Sequence, residues 1–335
     1  QSLRSVLHRP LTMVAISLIA IAEPPAVEGA EGGTMFSPRP TRDVVQLGVS
    51  AEDLPGAAVK YQDTEFAWQR LHAFARLRLY QDDQQELLAN LAAERTWISS
   101  QLQLPQVGVI PQRFDQASGS MTYRRFLGAG RVVGASLRLG SSSDEVFANS
   151  SVYTLAGTGF ARLPVRTSDA WLLSLSYANN RTRLNNIPFP GASYQWIPDR
   201  QVIVVAGLPA VWVLWKPLPQ LAVDGLASIF GTARAGVSWT PLAPDPRLRL
   251  RGGWEWGSET FKRADRQERD DQMIIRDMRV VVSLDATPVR PLTLGLKAAW
   301  LFEREIFEGK SGKDDEDAAL VENGWLFGAS LTTRF

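Results

Sequence analysis

The sequence predicts an all-β fold, a single transmembrane antiparallel up-and-down β-barrel of about sixteen strands, within a range of roughly twelve to sixteen. Two observations carry this prediction. From about residue 43 to the C-terminus, short segments alternate apolar and polar residues with a period of two, which is typical of strands with one apolar face. Short turns and long polar loops also alternate along the chain, as in barrels with short periplasmic turns and longer outer loops.

The N-terminal 42 residues are expected to lie outside the barrel wall. The apolar run Leu11–Ala22 has only twelve residues, whereas a membrane-spanning helix needs roughly 20. Two arginines precede the run and an A-x-A sequence ends it, so residues 1–22 are predicted to be a secretory signal peptide, with a buried N-terminal helix or an uncleaved anchor as the alternative. Residues 23–42 are rich in proline, glycine and acidic side chains, which predicts a flexible lead-in to the barrel at 43–335.

The composition excludes several function classes. The chain has 36 Lys and Arg against 35 Asp and Glu, with no long basic run, so a nucleic-acid partner is not expected. It has no cysteine and only two histidines, which excludes disulfides, cysteine-based metal sites and a thiol nucleophile. We therefore expect no cofactor and no metal site.

Three segments in the C-terminal half show the alternation most clearly: Arg247–Trp256, Leu292–Phe302 and Trp325–Phe335. In each of them, leucine, tryptophan or phenylalanine dominates one face, and charged, small or hydroxyl side chains dominate the other. Further strands are predicted at Val44–Ser50, Leu71–Leu79, Arg131–Leu139, Val152–Arg162, Ala170–Ala178, Gly191–Ile197, Gln201–Ala206, Ala210–Trp215, Leu221–Phe230, Thr232–Thr240 and Met273–Asp285.

The segment Asp82–Ser100 fits two interpretations. Strong helix formers follow two possible aspartate caps, which favours a helix. Its residues also alternate, and the preceding strand Leu71–Leu79 needs a hairpin partner, so we prefer a strand.

The connections fall into two classes, short turns and long loops. A membrane barrel places the short turns at one end and the long loops at the other, whereas a soluble sandwich has no reason to do so. The expected short turns lie at Leu163–Asp169, Pro198–Arg200, Lys216–Gln220, Pro241–Pro246 and Ala286–Pro291. The expected long loops lie at Ser99–Ser120, Ser141–Ser150, Arg181–Pro190, Gly257–Gln272 and Glu303–Asn323.

The apolar face is expected to meet lipid, and the polar face is expected to line the lumen. A barrel of this size encloses more volume than aliphatic side chains could fill, so its inner face must be polar. Outer-membrane lipid is therefore an expected partner, and the bacterial outer membrane is the expected location. Four tryptophans near strand ends fit an interfacial girdle, although they would also suit the core of a sandwich: Trp254, Trp256, Trp300 and Trp325.

Charged side chains on the inferred inward faces are the candidate lumen residues. Positive charges outnumber negative ones among them, which predicts a weak anion preference if the residues reach an open lumen. The alternative is that ion pairs across the lumen occlude it. The main candidates are Arg70, Arg76, Arg78, Arg247, Arg249, Arg251, Glu255 and Lys297, joined by Arg279, Arg334, Glu86, Glu94, Asp277, Asp285 and Glu303.

The last strand of the chain ends in Phe335 and has alternating apolar residues before it. It resembles the C-terminal strand by which assembly machinery recognises bacterial outer-membrane proteins. Thr333 departs from that pattern, which often has a bulky residue at this position. Phe335 is therefore the candidate assembly signal, and the barrel assembly machinery is an expected partner.

Three stretches stand out as a set: AWLLSLSYANNRTRLNNIPFPGASYQWIPDRQ at 170–201, RLRLRGGWEW at 247–256 and the terminal SLTTRF. Together they resemble an uncharacterised family of bacterial outer-membrane β-barrel proteins, a domain of unknown function. The resemblance covers roughly residues 42–335 and is most specific at LNNIPFPG. It implies a single outer-membrane barrel, and it implies no catalytic residue and no ligand.

Few residues could carry other chemistry. An outer-membrane hydrolase needs a histidine base, and only His72 remains once residues 1–22 are removed. Because Arg70 and Arg76 are its neighbours on the same face, we interpret His72 as a lumen residue without a catalytic role. The acidic cluster Asp314–Asp317 offers oxygen ligands for calcium or magnesium, but we interpret it as a solvated loop tip.

The function expected from these observations is a passive or weakly selective channel for small solutes. The second hypothesis is a structural or surface-interaction barrel with an occluded lumen. An outer-membrane enzyme is the third, and the chain is not expected to be one.

Overall fold

The computed structural model describes residues 35–38, 40–41, 45–105, 107–166, 168–181, 184–242, 247–266, 271–310 and 318–335. The predicted signal peptide at 1–22 and the acidic cluster at 314–317 lie outside these residues. No helix among the described residues is both long and apolar enough to cross a membrane.

The described chain consists almost entirely of antiparallel strands. Alternating side chains and turn residues between the segments produce this pattern, as the period of two predicts. The strands are β1 (Val45–Ala58), β2 (Glu65–Gln81), β3 (Gln85–Ser100), β4 (Gln103–Leu104), β5 (Gly108–Val109), β6 (Arg113–Phe126), β7 (Val132–Ser143), β8 (Tyr153–Pro164), β9 (Ala170–Ala178), β10 (Phe189–Trp196), β11 (Val202–Leu208), β12 (Ala210–Leu218), β13 (Leu221–Ser228), β14 (Thr232–Trp239), β15 (Leu248–Phe261), β16 (Asp271–Val289), β17 (Leu292–Lys310), β18 (Ala319–Val321) and β19 (Gly324–Arg334), with one 3-10 turn at Ser150–Val152.

Sixteen of the strands form a closed barrel, which confirms the predicted fold class. Every wall strand pairs with its sequence neighbour in the wall, and β19 pairs with both β17 and β1. The seam between β19 and β1 runs in register from Gln46 opposite Arg334 to Asp53 opposite Phe327. Because the ring is closed, no strand edge is left to meet lipid unpaired. Three short strands stand apart from the ring: β4 and β5 form a small hairpin, and β18 pairs with the end of β17.

The two ends of the barrel differ in their connections. Most connections at one end are short, at 82–84, 127–131, 165–169, 197–201, 219–220 and 290–291, and both Val45 and Arg334 lie at this end. The longest connections lie at the other end, at 101–112, 144–152, 179–188, 262–270 and 311–323. In an outer-membrane barrel, the short-turn end faces the periplasm and the other end faces outward.

The separation of short turns at one end from long loops at the other has exceptions on one side of the barrel. The strands β10 to β14 are only seven to nine residues long, and residue 209 alone connects β11 to β12 at the outer end. The wall is therefore low on this side, whereas β16 and β17 have 19 residues each and extend beyond a bilayer core that takes roughly 9–11 residues.

Several predicted boundaries were wrong for the same reason. The strand β1 continues past Ser50 to Ala58, β15 continues to Phe261, and β17 continues to Lys310. These extensions rise above the membrane, so they lose the apolar stripe on which the sequence prediction depended. The strand interpretation of Asp82–Ser100 is confirmed, because β3 covers all but its first three residues.

The outer surface of the barrel is apolar. Large hydrophobic side chains such as Leu91, Leu137 and Leu296 are more than half exposed on it. Such an extensive apolar exterior suits lipid and would be unfavourable in water. Tryptophans form a girdle at the short-turn end, each within four residues of the end of its strand: Trp171, Trp196, Trp215 and Trp239. Trp300 and Trp325 pair across β17 and β19 nearer the outer end, with ring centroids 5.2 Å apart.

Candidate functional site

Contacts between strands that are not neighbours identify the inner face of the wall. Arg70 on β2 bonds Glu259 on β15, although four wall strands separate them on the shorter way around the ring. Only side chains that point into the lumen can meet in this way. The faces that carry Arg70 and Glu259 are therefore the inner faces of β2 and β15.

A network of buried charges crosses the lumen at this level. The Arg70 guanidinium donates from Nη1 to Glu259 Oε1 at 2.8 Å and from Nη2 to Glu259 Oε2. Its Nε lies 3.3 Å from Glu94 Oε1, and its Nη1 lies 3.9 Å from Glu52 Oε2. The carboxylate of Glu52 also accepts a 2.9 Å hydrogen bond from Lys297 Nζ. These contacts therefore join side chains on β1, β2, β3 and β17 to Glu259 on β15, across the lumen of the barrel.

A second part of the network lies on β15 and β16. Arg279 Nε donates to Asp277 Oδ1 at 3.0 Å and approaches Glu255 Oε2 at 4.0 Å. Each acid of the network therefore has a cation nearby, which offsets the cost of taking carboxylates out of water.

An apolar cluster fills the lumen immediately outside the charged network. Trp68 packs beneath the Arg70 guanidinium, with 3.9 Å from Cζ to the ring centroid, and Phe114 meets Phe261 at 4.7 Å between ring centroids. The cluster closes the outer half of the lumen on the side of the wall that runs from β15 through β16, β17, β19, β1, β2 and β3 to β6. It comprises Leu54, Ala57, Val59, Phe66, Trp68, Ile98, Leu102, Leu104, Ile110, Phe114, Phe261, Met273, Val281, Ala299, Leu301, Ile306, Ala319, Val321 and Leu326.

The opposite walls β7 and β15 touch at the outer end. They lie eight strands apart in either direction around the ring, yet Lys262 N donates to Ser142 O at 2.8 Å, and Ser142 Oγ donates to Thr260 O at 3.2 Å. Ala264 N also donates to Asp144 Oδ1 at 2.9 Å. We call this set of contacts, at 142–144 and 260–264, the outer clasp.

Two basic side chains extend the outer clasp to the neighbouring loop and strand. Lys262 Nζ donates to Tyr153 O at 2.9 Å, and Arg266 Nη2 donates to Ser151 O at 2.6 Å. The outer clasp divides the outer mouth into two halves. The apolar cluster occupies one half, and a cavity lies under the other.

The cavity beneath the outer clasp has a volume of about 260 Å³. Its wall carries acids of the charged network together with Arg138, Arg181 and Arg234, and Arg234 lies opposite Glu255 in the register of β14 and β15. Phe230 contributes an apolar surface, and the Arg181 guanidinium lies 4.4 Å from its ring centroid. We call this space the lumen cavity.

The inner mouth holds part of the chain that precedes β1. The Phe36 ring meets Phe160 edge to face at 5.5 Å, and Thr41 N donates to Glu86 Oε1 at 2.9 Å. Arg124 bonds Glu86 and donates from Nη2 to Thr41 Oγ1 at 3.1 Å. Of the predicted lead-in at 23–42, the described residues thus lie against the inner wall near the short-turn end.

The predicted lumen residues differ in their surroundings. Arg70, Glu255 and Lys297 belong to the charged network described above. Arg247 lies in the connection before β15 and is exposed. Of the remaining four, Arg76 lies 5.6 Å from the Phe74 ring centroid, Arg78 donates to Thr41 O at 2.8 Å, Arg249 donates to Ser238 Oγ at 3.1 Å, and Arg251 donates to Asp224 Oδ2 at 2.9 Å.

Sequence reasoning missed several lumen residues. Glu52 and Glu259 lie on strand extensions that the prediction assigned to connections. On β17, a bulge at Glu303 turns that residue outward and brings Arg304 inward, where it is buried. The positive φ of 49° at Glu303 marks the bulge, but no residue type in the sequence predicts a bulge at this position.

The pairing also places Ser50, His72 and Glu94 in one cross-strand row on the inner face. Among the described residues, no hydrogen bond joins the His72 ring to either of the other two. The Glu94 carboxylate lies against Arg70 instead, and the His72 ring stacks on Phe74 at 5.8 Å between centroids. The row therefore lacks the linked nucleophile and base of a hydrolase.

Phe335 lies at the inner end of the seam between β19 and β1. Its N–H donates to Val45 O at 2.8 Å, and its carbonyl accepts from Val45 N at 3.2 Å. The side chain is 63% exposed on the barrel surface. The last residue thus completes the closure of the ring through its backbone and leaves its ring free to contact lipid or another protein.

Comparisons with known proteins return structural matches and no sequence family. No family model matches the chain, and no curated protein matches it. Solved structures that resemble it include an outer membrane channel from Pseudomonas putida (9% identity, 90% of this chain and 98% of that chain covered, TM-score 0.39). The toluene transporter TodX from the same organism matches at 8% identity (88% and 90% covered, TM-score 0.39), and the translocator domain of the autotransporter NalP from Neisseria meningitidis matches at 9% (92% and 95% covered, TM-score 0.34).

Matches at this level carry no argument about function. The location follows from the architecture itself, because a closed, even-stranded barrel with an apolar exterior and both ends of its sheet on the short-turn side is the form taken by outer-membrane proteins. The resemblance to one particular uncharacterised family stays a prediction. The chain is a bacterial outer-membrane β-barrel.

Proposed function

We propose that the protein is a gated channel for small solutes and that the described conformation is its closed state. The observation that carries the proposal is the outer clasp, in which hydrogen bonds join two opposite walls, such as that from Lys262 N to Ser142 O at 2.8 Å. This modifies the passive channel expected from the sequence, because a passive pore would keep its walls apart.

The outer clasp is a weak closure compared with the barrel itself. A typical hydrogen bond contributes a net of about 1 kcal/mol, and the groups of the clasp could bond water after separation. Each wall would keep its ladder bonds to neighbouring strands while the clasp opens. Opening of the clasp alone, with Phe261 still packed against Phe114 and Glu259 still bonded to Arg70, would therefore cost little.

The other half of the outer mouth is a poor candidate for the solute path. Opening it would expose the apolar cluster, and each large buried apolar side chain costs about 1.5–3 kcal/mol to expose. The same cluster favours a second candidate function, a structural barrel whose lumen stays closed. The two candidates differ in whether the outer clasp ever opens.

Conductance across planar bilayers tests the proposal. The wild-type barrel is expected to show brief openings from a mostly closed state. The double variant Lys262→Ala/Arg266→Ala loses the side-chain bonds to Tyr153 O and Ser151 O. With about 1 kcal/mol for each bond, the open fraction should rise by about tenfold or more.

The matched control for this experiment is Arg290→Ala, an exposed change in the turn at the far end of the barrel. Its open fraction should equal that of the wild type. If neither the wild type nor the double variant shows conductance steps, the channel proposal fails and the closed structural barrel takes its place.

Two partners belong to the same proposal. The exposed leucines of the exterior, such as Leu137 and Leu175, would contact outer-membrane lipid. The exposed ring of Phe335, which follows β19, would be recognised by the barrel assembly machinery. An enzymatic role is not proposed, because within the described part of the chain the His72 ring has neither a bonded nucleophile nor a bonded carboxylate.

A further inference from the structure

The lining of the lumen cavity carries five acids and five arginines, and the arginines differ in whether a carboxylate holds them. Its acids are matched within the charged network, where Arg70 meets Glu94 and Glu259, and Lys297 bonds Glu52. Arg138 on β7 and Arg234 on β14, which lie seven strands apart around the ring, have no carboxylate within salt-bridge distance among the described residues. Among the same residues, Ser118 Oγ accepts from Arg138, at 3.2 Å from Nη2 and 3.3 Å from Nε. Among the described residues, neither of these two arginines is therefore held in an ion pair.

Arg234 gives the more specific observation. Its Nε is buried and has no hydrogen-bond partner among the described residues. Glu255 lies directly opposite it in the register of β14 and β15, but that carboxylate approaches Arg279 instead. A buried guanidinium nitrogen without an acceptor is costly, and such a group commonly marks a missing partner.

We propose that the lumen cavity binds a small carboxylate anion through Arg234, with Arg138 as a second cation across the cavity. This inference rests on the proposed function, because it names the class of solute that the lumen would hold. A carboxylate matches the planar fork of a guanidinium, and the bond is charge-assisted. The lining also provides Thr154 and Asn180 as polar neighbours and Phe230 as an apolar surface.

The size of the cavity limits the ligand. A volume of about 260 Å³ lies just below the range of roughly 300–1,000 Å³ typical of small-molecule sites. A single aromatic or short aliphatic carboxylate suits this space. Benzoate is a suitable probe, because benzamide has nearly the same shape without the charge.

The test is calorimetric titration of the whole barrel in detergent with benzoate and with benzamide. Benzoate is expected to bind at least about tenfold more tightly than benzamide, because a hydrogen bond to a charged group contributes about 1.5–3 kcal/mol. Arg234→Met should weaken benzoate binding by about tenfold or more, whereas Arg234→Lys should weaken it less, because it keeps the charge and loses only the fork. The exposed variant Arg290→Met should bind like the wild type.

The titration is repeated in Lys262→Ala/Arg266→Ala, so that a closed outer clasp cannot hide the site. Folding of each variant is checked by its gel mobility before and after heating. Equal affinity for benzoate and benzamide, undiminished binding in Arg234→Met, or the absence of binding in both backgrounds would overturn the assignment. The titration measures binding at equilibrium and does not depend on transport. Carboxylate binding by a barrel that never conducts would therefore refute the channel proposal but support the proposed binding site.

Discussion

Replacing Arg70 with methionine is expected to lower the free energy of unfolding by about 3–5 kcal/mol, the cost of breaking a buried ion pair by removing one partner. The Arg70 side chain is only 5% exposed and holds carboxylates from three other strands, those of Glu52, Glu94 and Glu259. Without the guanidinium, these carboxylates would share one buried space with too little positive charge. Urea titration of the lipid-embedded barrel, read by heat-dependent gel mobility, measures the change.

The control for Arg70→Met is Arg76→Met on the same inner face of β2. Arg76 contacts the Phe74 ring and has no carboxylate within salt-bridge distance among the described residues. Its loss should cost far less than the loss of Arg70. Equal unfolding midpoints for the two variants would contradict a structural role for the charged network.

Placing an arginine on the lipid face at mid-strand is the second change with a large expected effect. Leu137 lies at the centre of β7 and is 51% exposed on the barrel exterior. Leu137→Arg should destabilise the inserted barrel by about 2–4 kcal/mol, the cost of an arginine near the bilayer midplane. The folded fraction in lipid vesicles at increasing urea concentrations measures it.

The matched control is Ser136→Arg, the adjacent residue on the inner face of the same strand. Ser136 Oγ shares a hydrogen bond of 2.9 Å with Thr122 Oγ1, so its replacement should cost about 1 kcal/mol. A larger loss for Ser136→Arg than for Leu137→Arg would reverse the assignment of the two faces of β7.

The sequence was sufficient for the wall of the barrel because the wall is built from local rules. Alternation in segments such as Leu292–Phe302 predicts a strand and its two faces, whichever strand lies beside it. Closure followed from the number of such segments and from the sorting of turns and loops. The preference for a strand at Asp82–Ser100 rested on the same reasoning, since Leu71–Leu79 needed a hairpin partner.

The contents of the lumen could not be predicted in this way. The bond between Arg70 and Glu259 joins residues 189 positions apart, and it depends on which strands face each other across the ring. A change of two strands or a shift in register would separate them. The outer clasp depends on the same geometry, because Ser142 and Lys262 meet only when β7 and β15 lie opposite each other.

Local irregularities set a second limit on the prediction. A period of two assigns Glu303 to the inner face of β17, but the bulge at this position reverses the faces beyond it. Arg304 therefore enters the lumen side, where sequence reasoning had placed its neighbour. The contacts of Phe36 and Thr41 with the inner wall were equally hidden, because a segment without periodicity gives no signal of where it packs.

The most direct measurement of the closed state is disulfide formation across the outer clasp in intact outer membranes. The chain has no native cysteine, so the pair Ser142→Cys/Lys262→Cys reports on these two positions alone. The control pair, Ser142→Cys/Ser238→Cys, places the second thiol on β14 near the short-turn end, far from the clasp. With a mild oxidant, the first pair is expected to lose its free thiols rapidly while the control pair retains them. Retention of free thiols in both pairs would show that the walls stay apart in the membrane and would contradict the closed state.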